Sequence, residues 1–190
     1  MHARRLVVNS RAAAPLARVF GRLYELRFPI RHLRLADMYG TPRSRPPDGD
    51  VTGAFRCREA VPSPCVGGTA SGHWSMHAYG LAIDLDPREN PHAGCGRTRD
   101  RDGRPYLDRS RLRRGMVTPA VVRAFRSIGW GWGGDWRLER RDQGLHALLG
   151  HRPLTPRRAG AAPLACGAWT RSSSTGWRRR TGAMCGRSTG

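Results

Sequence analysis

Two potential metal ligands, His77 and Asp84, lie seven residues apart in the stretch HWSMHAYGLAIDLDP. A hydrolytic zinc site needs three ligands from His, Asp or Glu, an open position for water, and a general base that takes the proton of that water. The chain offers two of these ligands if it bends back at Gly80. The spacing alone leaves a second interpretation open, because a His and an Asp near one strand more often form a hydrogen-bonded pair.

Hydrophobic periodicity predicts the elements that position these two residues. The segment 80–85 alternates, which predicts a strand with its aliphatic side chains on one face and Asp84 on the other. Apolar residues at helical spacing predict one helix over residues 12–27 and another over residues 118–128. These elements predict one α+β domain over residues 1–146.

The charge of the chain is concentrated in its C-terminal region. The formal net charge is +20, and every basic residue is an arginine. Residues 147–190 contain eight of these arginines and no acidic residue, and they are poor in aliphatic side chains. Such a composition predicts a disordered tail. Because so much of the charge lies in this tail, specific nucleic-acid binding is the least favoured function of the folded part.

Cysteine spacing and hydropathy exclude two further classes of protein. None of the five cysteines forms a CxxC pair, which excludes a zinc ribbon. Cys57 and Cys65 flank a proline-rich turn and either form a disulfide or remain free thiols. No apolar run approaches the roughly 20 residues that span a bilayer, which predicts no membrane span. The N-terminus likewise lacks the continuous apolar stretch of a signal peptide.

The stretch SMHAYGLAID matches a motif of zinc peptidases without a mismatch. The motif is S-x-H-x-x-G-x-A-x-D, and its fixed positions are Ser75, His77, Gly80, Ala82 and Asp84. It is typical of the peptidases that cut D-alanyl-D-alanine and L-alanyl-D-glutamate bonds in peptidoglycan. The chain also resembles this family in GAFRCR and in YLDRSRLRRGMVTPAVVRAFRSIGWGWGGDW, so that the resemblance covers roughly residues 6–136.

The resemblance implies an α+β fold in which helices flank a small mixed or antiparallel sheet that holds a zinc site. It also implies the residues of the site, a substrate and a location. Zinc would be held by His77, Asp84 and a second histidine from a D/E-x-x-H-F motif, whose acid is the general base. Arg58 of the FRCR element would bind a substrate carboxylate or the developing oxyanion, which suits its planar fork of donors. Ser75 would form a substrate-binding hydrogen bond. Peptidoglycan peptides would be the substrates, and the protein would be secreted or act in the cell envelope.

The chain departs from the family pattern after GGDW, where it reads RLERRDQGLHALLGHRP. The nearest replacements are Asp142 as the general base and His146 as the third zinc ligand. They are four residues apart instead of three, although this spacing still places both on one face of a helix. Glu139 and His151 are further substitutes, and neither fits the pattern better.

A change of reading frame explains this departure. Codons chosen within the degeneracy of GLHALLGHRPL, read one base later, spell DYTHFSATGR followed by a stop. A shift between about residues 136 and 144 would therefore explain both the missing motif and the acid-free tail over residues 147–190. The rival interpretation is a diverged family member that uses Asp142 and His146. An inactive relative that only binds the cell wall is the alternative function.

Overall fold

The structure is a computed structural model. It describes in full residues 5–33, 49–65, 68–69 and 71–135, and it describes the backbone of the strands at 148–151, 169–171 and 177–179. The predicted base Asp142 and the predicted ligand His146 lie outside the described residues. No helix of the described part is long and apolar enough to cross a membrane.

Two helices form where the apolar periodicity predicts them. Helix α1 spans Ser10–Glu25, and the side chain of Asn9 caps it by accepting a hydrogen bond from the amide of Arg11 at 3.1 Å. Helix α2 spans Pro119–Arg126, and the Thr118 hydroxyl caps it in the same way. Side-chain caps and a proline in the first turn satisfy or remove amide donors that have no partner within the helix.

In the part of the chain that the structure describes, the strands are short and fall into four small sheets. Their bounds are β1 His32–Leu33, β2 Val51–Thr52, β3 Ala82–Asp84, β4 Ala93–Gly94, β5 Arg97–Thr98, β6 Trp130–Trp132, β7 Leu148–His151, β8 Trp169–Arg171 and β9 Trp177–Arg179. The largest sheet has the order β3-β7-β6 and is antiparallel, whereas β1 and β2 pair in parallel. This mixture of helices and small sheets agrees with the α+β class predicted from the sequence.

Part of the predicted tail belongs to the main sheet. Strand β7 lies between β3 and β6, and it pairs Leu148 with Asp84. Strands β8 and β9 pair with each other in an antiparallel ladder. Backbone pairing is described for these three segments, and the disordered tail predicted for residues 147–190 stays a prediction. The predicted boundary at residue 146 lies outside the described residues and stays a prediction.

The hydrophobic core lies between the two helices and β3. Ile83 and Leu85 are fully buried, and Leu81 packs against the same cluster, which confirms the apolar face predicted for this strand. Phe125 of α2 is also fully buried, and its ring lies 6.3 Å from that of Trp130 in β6. Because this aliphatic layer is buried, the opposite face of the strand, which carries Asp84, is the face available for polar chemistry.

Asn90 connects the end of β3 to the start of α2. It is 4% exposed, and its amide nitrogen donates to the carbonyls of Leu85 and Gly115, each at 2.9 Å. Its amide oxygen accepts from the Val117 amide at 2.7 Å and from the Arg109 side chain at 3.2 Å. A buried amide with all these partners satisfies the backbone of a loop that has little regular structure.

A disulfide bond joins Cys65 to Cys95 across 30 residues. The alternative pair of Cys57 with Cys65 is therefore wrong, and Cys57 is itself bonded in another disulfide. The closed loop contains both His77 and Asp84. It therefore limits how far the segment that carries them can unfold.

Three buried carboxyl groups surround Arg31. Asp50 and Asp86 are each 1% exposed, and Glu89 is 3% exposed. The Arg31 guanidinium lies 3.1 Å from Asp50 and 3.0 Å from Glu89, and the Arg31 amide donates to Asp86 at 3.1 Å. Burial raises the pKa of Asp50 to about 6, and the neighbouring Glu89 carboxyl adds to this increase.

The substitution Asp50→Asn is expected to flatten the pH dependence of stability. The folded state raises the Asp50 pKa from 3.8 to about 6. Between pH 3.8 and pH 6, the folded protein therefore retains a proton on Asp50 that the unfolded chain has released. This contribution is fully present below pH 3.8 and is lost as the pH rises through 6, at a cost of at most about 3 kcal/mol. Urea unfolding of both proteins between pH 4 and pH 7 measures the difference. An unchanged slope in the variant would contradict the assignment to Asp50.

Candidate metal centre

A tight turn at Gly80 brings His77 back over the strand that carries Asp84. The turn is a 3-10 helix over Met76–Tyr79, and Gly80 ends it with φ +64°. A Cβ atom at Gly80 would lie 2.5 Å from the Asn9 amide nitrogen, and that amide donates to the Gly80 carbonyl at 3.0 Å. Only glycine permits both the left-handed backbone and this close approach. The motif glycine therefore joins the start of α1 to the candidate site.

The segment from Thr52 to Arg56 holds both candidate ligands. The backbone of Gly53 pairs with that of Asp84 through two hydrogen bonds, of 3.0 and 2.8 Å. The next residue, Ala54, presents its carbonyl to the His77 ring at 2.5 Å from Nδ1. The Arg56 amide donates to the His77 carbonyl at 3.2 Å. Consecutive residues of one extended segment thus fix the positions of the two ligands relative to each other.

The contact with Ala54 determines which nitrogen of His77 is available. A carbonyl oxygen only accepts, so Nδ1 carries the proton in this contact. In the neutral ring the lone pair is then on Nε2. This arrangement is the usual one for a histidine that binds a metal through Nε2, because the second hydrogen bond fixes both the tautomer and the orientation of the ring.

The Nε2 atom of His77 points at Asp84 without a hydrogen-bond partner. It lies 3.2 Å from Asp84 Oδ1, yet this fully buried nitrogen makes no hydrogen bond within the described residues. Ligand atoms at about 2.0–2.1 Å from a tetrahedral zinc ion are about 3.3 Å apart. The separation and the orphaned lone pair therefore fit two ligands of one metal ion better than they fit a hydrogen-bonded pair.

The surroundings keep Asp84 ionised, as a metal ligand must be. Burial by itself would raise the pKa of Asp84, but His77 and the guanidinium groups of Arg56 and Arg58 outweigh it and hold the pKa well below its ordinary value. The Asp84 side chain keeps 17% of its surface exposed, whereas His77 has none. An ionised oxygen that is open on one side can bind a cation that enters from solvent.

The structure places Arg58 close to the ligand pair, together with Arg56, which the sequence reasoning missed. Both arginines act electrostatically on Asp84, and Arg56 acts more strongly. Arg58 donates to the Glu59 carbonyl at 3.0 Å, and its own carbonyl accepts from the Ser75 amide at 3.2 Å. Both residues belong to the same FRCR element. The sequence alone does not reveal that the Arg56 amide donates a hydrogen bond to the His77 carbonyl.

Ser75 holds the turn that presents His77. It is 5% exposed, and its hydroxyl oxygen accepts a hydrogen bond from the His77 amide at 3.3 Å, as the cap of the 3-10 helix. This contact uses the hydroxyl to position His77, the candidate ligand. The predicted hydrogen bond from Ser75 to substrate stays a prediction.

His92 is a second residue near the site that the sequence reasoning missed. Burial and the charge of Arg99 lower the pKa of His92 to about 4, although Asp84 acts in the opposite direction. The ring is therefore neutral at neutral pH. Within the described residues, His92 does not complete a group of three His, Cys, Asp or Glu residues that could hold a metal ion.

One comparison with known proteins finds a family that matches part of the chain. Residues 69–144 match the family described as D-alanyl-D-alanine carboxypeptidase. This segment is therefore similar to that peptidase family. The match includes Ser75, His77 and Asp84, and it confirms the family named from the sequence motif. No curated protein and no solved structure gives a significant match to the chain.

The substitution His77→Ala is expected to reduce zinc affinity at least about 100-fold, because it removes a ligand and not merely a group that orients one. Isothermal titration of the metal-free protein with zinc measures this loss. His73→Ala is the matched control, since His73 is exposed and lies four residues earlier in the chain. An equal affinity of the two variants would contradict the assignment of His77 as a ligand.

Proposed function

We propose that this protein hydrolyses peptide bonds in peptidoglycan stem peptides with the help of zinc, as a D-alanyl-D-alanine carboxypeptidase or an L-alanyl-D-glutamate endopeptidase. One observation carries the proposal: the orphaned His77 Nε2 lies 3.2 Å from Asp84 Oδ1. The family match over residues 69–144 supports the substrate class. His77 and Asp84 would hold the metal, which would polarise the scissile carbonyl and lower the pKa of a water molecule to about 7.

The arginines would bind and orient the substrate. Stem peptides carry free carboxylates, and a guanidinium group binds a carboxylate through two parallel hydrogen bonds. Arg56 and Arg58 both lie close enough to Asp84 to lower its pKa, so a carboxylate that they bind would be next to the ligands. Asp142 is the candidate general base and His146 the candidate third ligand, as the sequence predicts.

A location outside the cytoplasm follows from the substrate and from the disulfide chemistry. Peptidoglycan lies outside the membrane, and the bond between Cys65 and Cys95 is typical of an oxidising compartment. We therefore propose that the protein acts in the cell envelope or after secretion. Its partners would be peptidoglycan peptides and not nucleic acid.

Hydrolysis is tested with the zinc-loaded protein and synthetic stem peptides that end in D-alanyl-D-alanine or contain an L-alanyl-D-glutamate bond. Mass spectrometry is expected to detect cleavage of one of these bonds, which should disappear in His77→Ala and persist in His73→Ala. Cleavage that is equal in both variants would overturn the proposed role of the zinc site. Binding of stem peptides without any cleavage would favour the second candidate function.

That second candidate is a cell-wall-binding protein without activity. The observation in its favour is that the sequence after GGDW lacks the D/E-x-x-H-F motif, which supplies the third ligand and the base in the family that the chain resembles. A site with two ligands would bind zinc weakly, and it would lack a group to take the proton from water. The arginines beside Asp84 would still bind peptide carboxylates in such a protein.

The substitution Leu148→His is expected to distinguish these two candidates. The register of β3 and β7 places position 148 directly opposite Asp84, and opposite residues of an antiparallel pair share one face of the sheet. If the third position is vacant, a histidine there should raise zinc affinity at least tenfold, as titration would measure. Leu148→Gln is the control, because it adds polarity without an imidazole. Equal affinity of the two variants would mean that another residue completes the site.

A further inference from the structure

A groove between α1 and α2 lies on the side of the hydrophobic core away from the candidate metal centre. It has a volume of about 490 Å³, within the range of small-molecule sites. Val19 of α1 and Ala124 of α2 line it and belong to the same core cluster as Ile83, whereas Asp84 lies on the opposite face of β3. The groove is therefore separate from the pair of His77 and Asp84.

The groove combines an apolar floor with a basic rim. Val19 is 2% exposed and Ala124 is 8% exposed, so these two residues form the floor. Leu26 adds an aliphatic wall that is open to solvent, since 37% of its surface is exposed. The rim consists of three exposed arginines from both helices, Arg18, Arg22 and Arg123.

The positive charge of this rim is largely uncompensated. Arg22 pairs with Glu25, but both side chains are more than half exposed, so solvent and salt screen the pair. The side chains of Arg18 and Arg123 form no ion pair or hydrogen bond with the described residues. None of the described residues that line the groove is acidic. Two guanidinium groups can therefore bind an anion without giving up an acidic partner.

The chemistry of the floor and the rim indicates the class of ligand. A guanidinium group binds a carboxylate through two parallel hydrogen bonds, and a floor of alanine and valine complements methyl groups. Among the described residues, no aromatic ring lines the groove, so it lacks a platform on which nucleic-acid bases stack. Peptides with L-alanyl-D-glutamate and D-alanyl-D-alanine bonds carry both carboxylates and alanine methyl groups. They complement this groove better than a nucleic acid does.

We propose that the groove anchors the protein to peptidoglycan by binding the carboxylates of a stem peptide through Arg18 and Arg123. The choice of ligand rests on the proposed function, but the binding itself needs neither zinc nor hydrolysis. Because the groove and Asp84 lie on opposite sides of β3, the anchored peptide differs from the peptide at the metal. Peptidoglycan carries many such peptides on one polymer, so the anchor raises the effective concentration of the protein at its substrate.

Sedimentation of the metal-free full chain with purified peptidoglycan, freed of nucleic acid and of phosphate-containing polymers, tests this anchor. The double variant Arg18→Gln/Arg123→Gln is expected to bind about tenfold more weakly, because each exposed ion pair contributes up to about fivefold in affinity. Arg101→Gln/Arg104→Gln is the matched control, since it removes the same charge from exposed residues that do not line the groove. Equal losses of binding in the two double variants would overturn the proposed site.

Chemical amidation of the peptidoglycan carboxylates tests the ligand. On amidated peptidoglycan, Arg18→Gln/Arg123→Gln and the unsubstituted protein are expected to bind equally. A difference that persists after amidation would overturn recognition of a carboxylate. Retention of double-stranded DNA that is lost in this variant, with peptidoglycan binding unchanged, would assign the groove to nucleic acid and overturn the proposal.

Cleavage by the zinc-loaded protein separates the anchor from the proposed hydrolysis. Arg18→Gln/Arg123→Gln should cleave soluble synthetic stem peptides at the unaltered rate, but it should release peptide from polymeric peptidoglycan about fivefold more slowly. An equal loss on both substrates would overturn the anchoring role. Absence of cleavage by every form of the protein would overturn the proposed function alone, because sedimentation still tests the anchor.

Discussion

The hydrogen bond from His77 Nδ1 to the Ala54 carbonyl is the constraint on which the candidate site depends. It determines that the free lone pair of the ring is on Nε2, and it directs that lone pair towards Asp84. The same extended segment pairs with the backbone of Asp84 through Gly53. One stretch of backbone thus sets the ring orientation of His77 and the backbone position of Asp84, the two candidate ligands. The turn at Gly80 and the cap from Ser75 serve to bring the histidine to this carbonyl.

Much of the fold could be predicted because its signals are local. The helices followed from apolar spacing, and the two faces of β3 followed from alternation in LAIDL. The position of β7 could not be predicted, because strand pairing depends on partners that are distant in the chain and Leu148–His151 lacks an alternating pattern. The pairing of Cys65 with Cys95 was missed for the same reason, since spacing favours neighbours in sequence.

The candidate site shows the same division between local and distant information. His77 and Asp84 could be named because their motif is a continuous stretch of ten residues. In contrast, Arg56 acts on Asp84, and Asp84 acts on His92, between separate parts of the chain. These electrostatic interactions depend on distance and burial, which cannot be read from the amino-acid sequence. The departure from the family pattern after GGDW was visible in the sequence. The structure adds the backbone register that pairs Asp84 with Leu148.

The most direct test of the central claim is a crystal structure of the zinc-soaked protein, with anomalous scattering recorded at the zinc absorption edge. The account predicts one strong peak at about 2.0–2.1 Å from both His77 Nε2 and Asp84 Oδ1. Further density at this peak would identify the third ligand. No peak between these two atoms, with His77 Nε2 donating a hydrogen bond to Asp84 instead, would contradict the account.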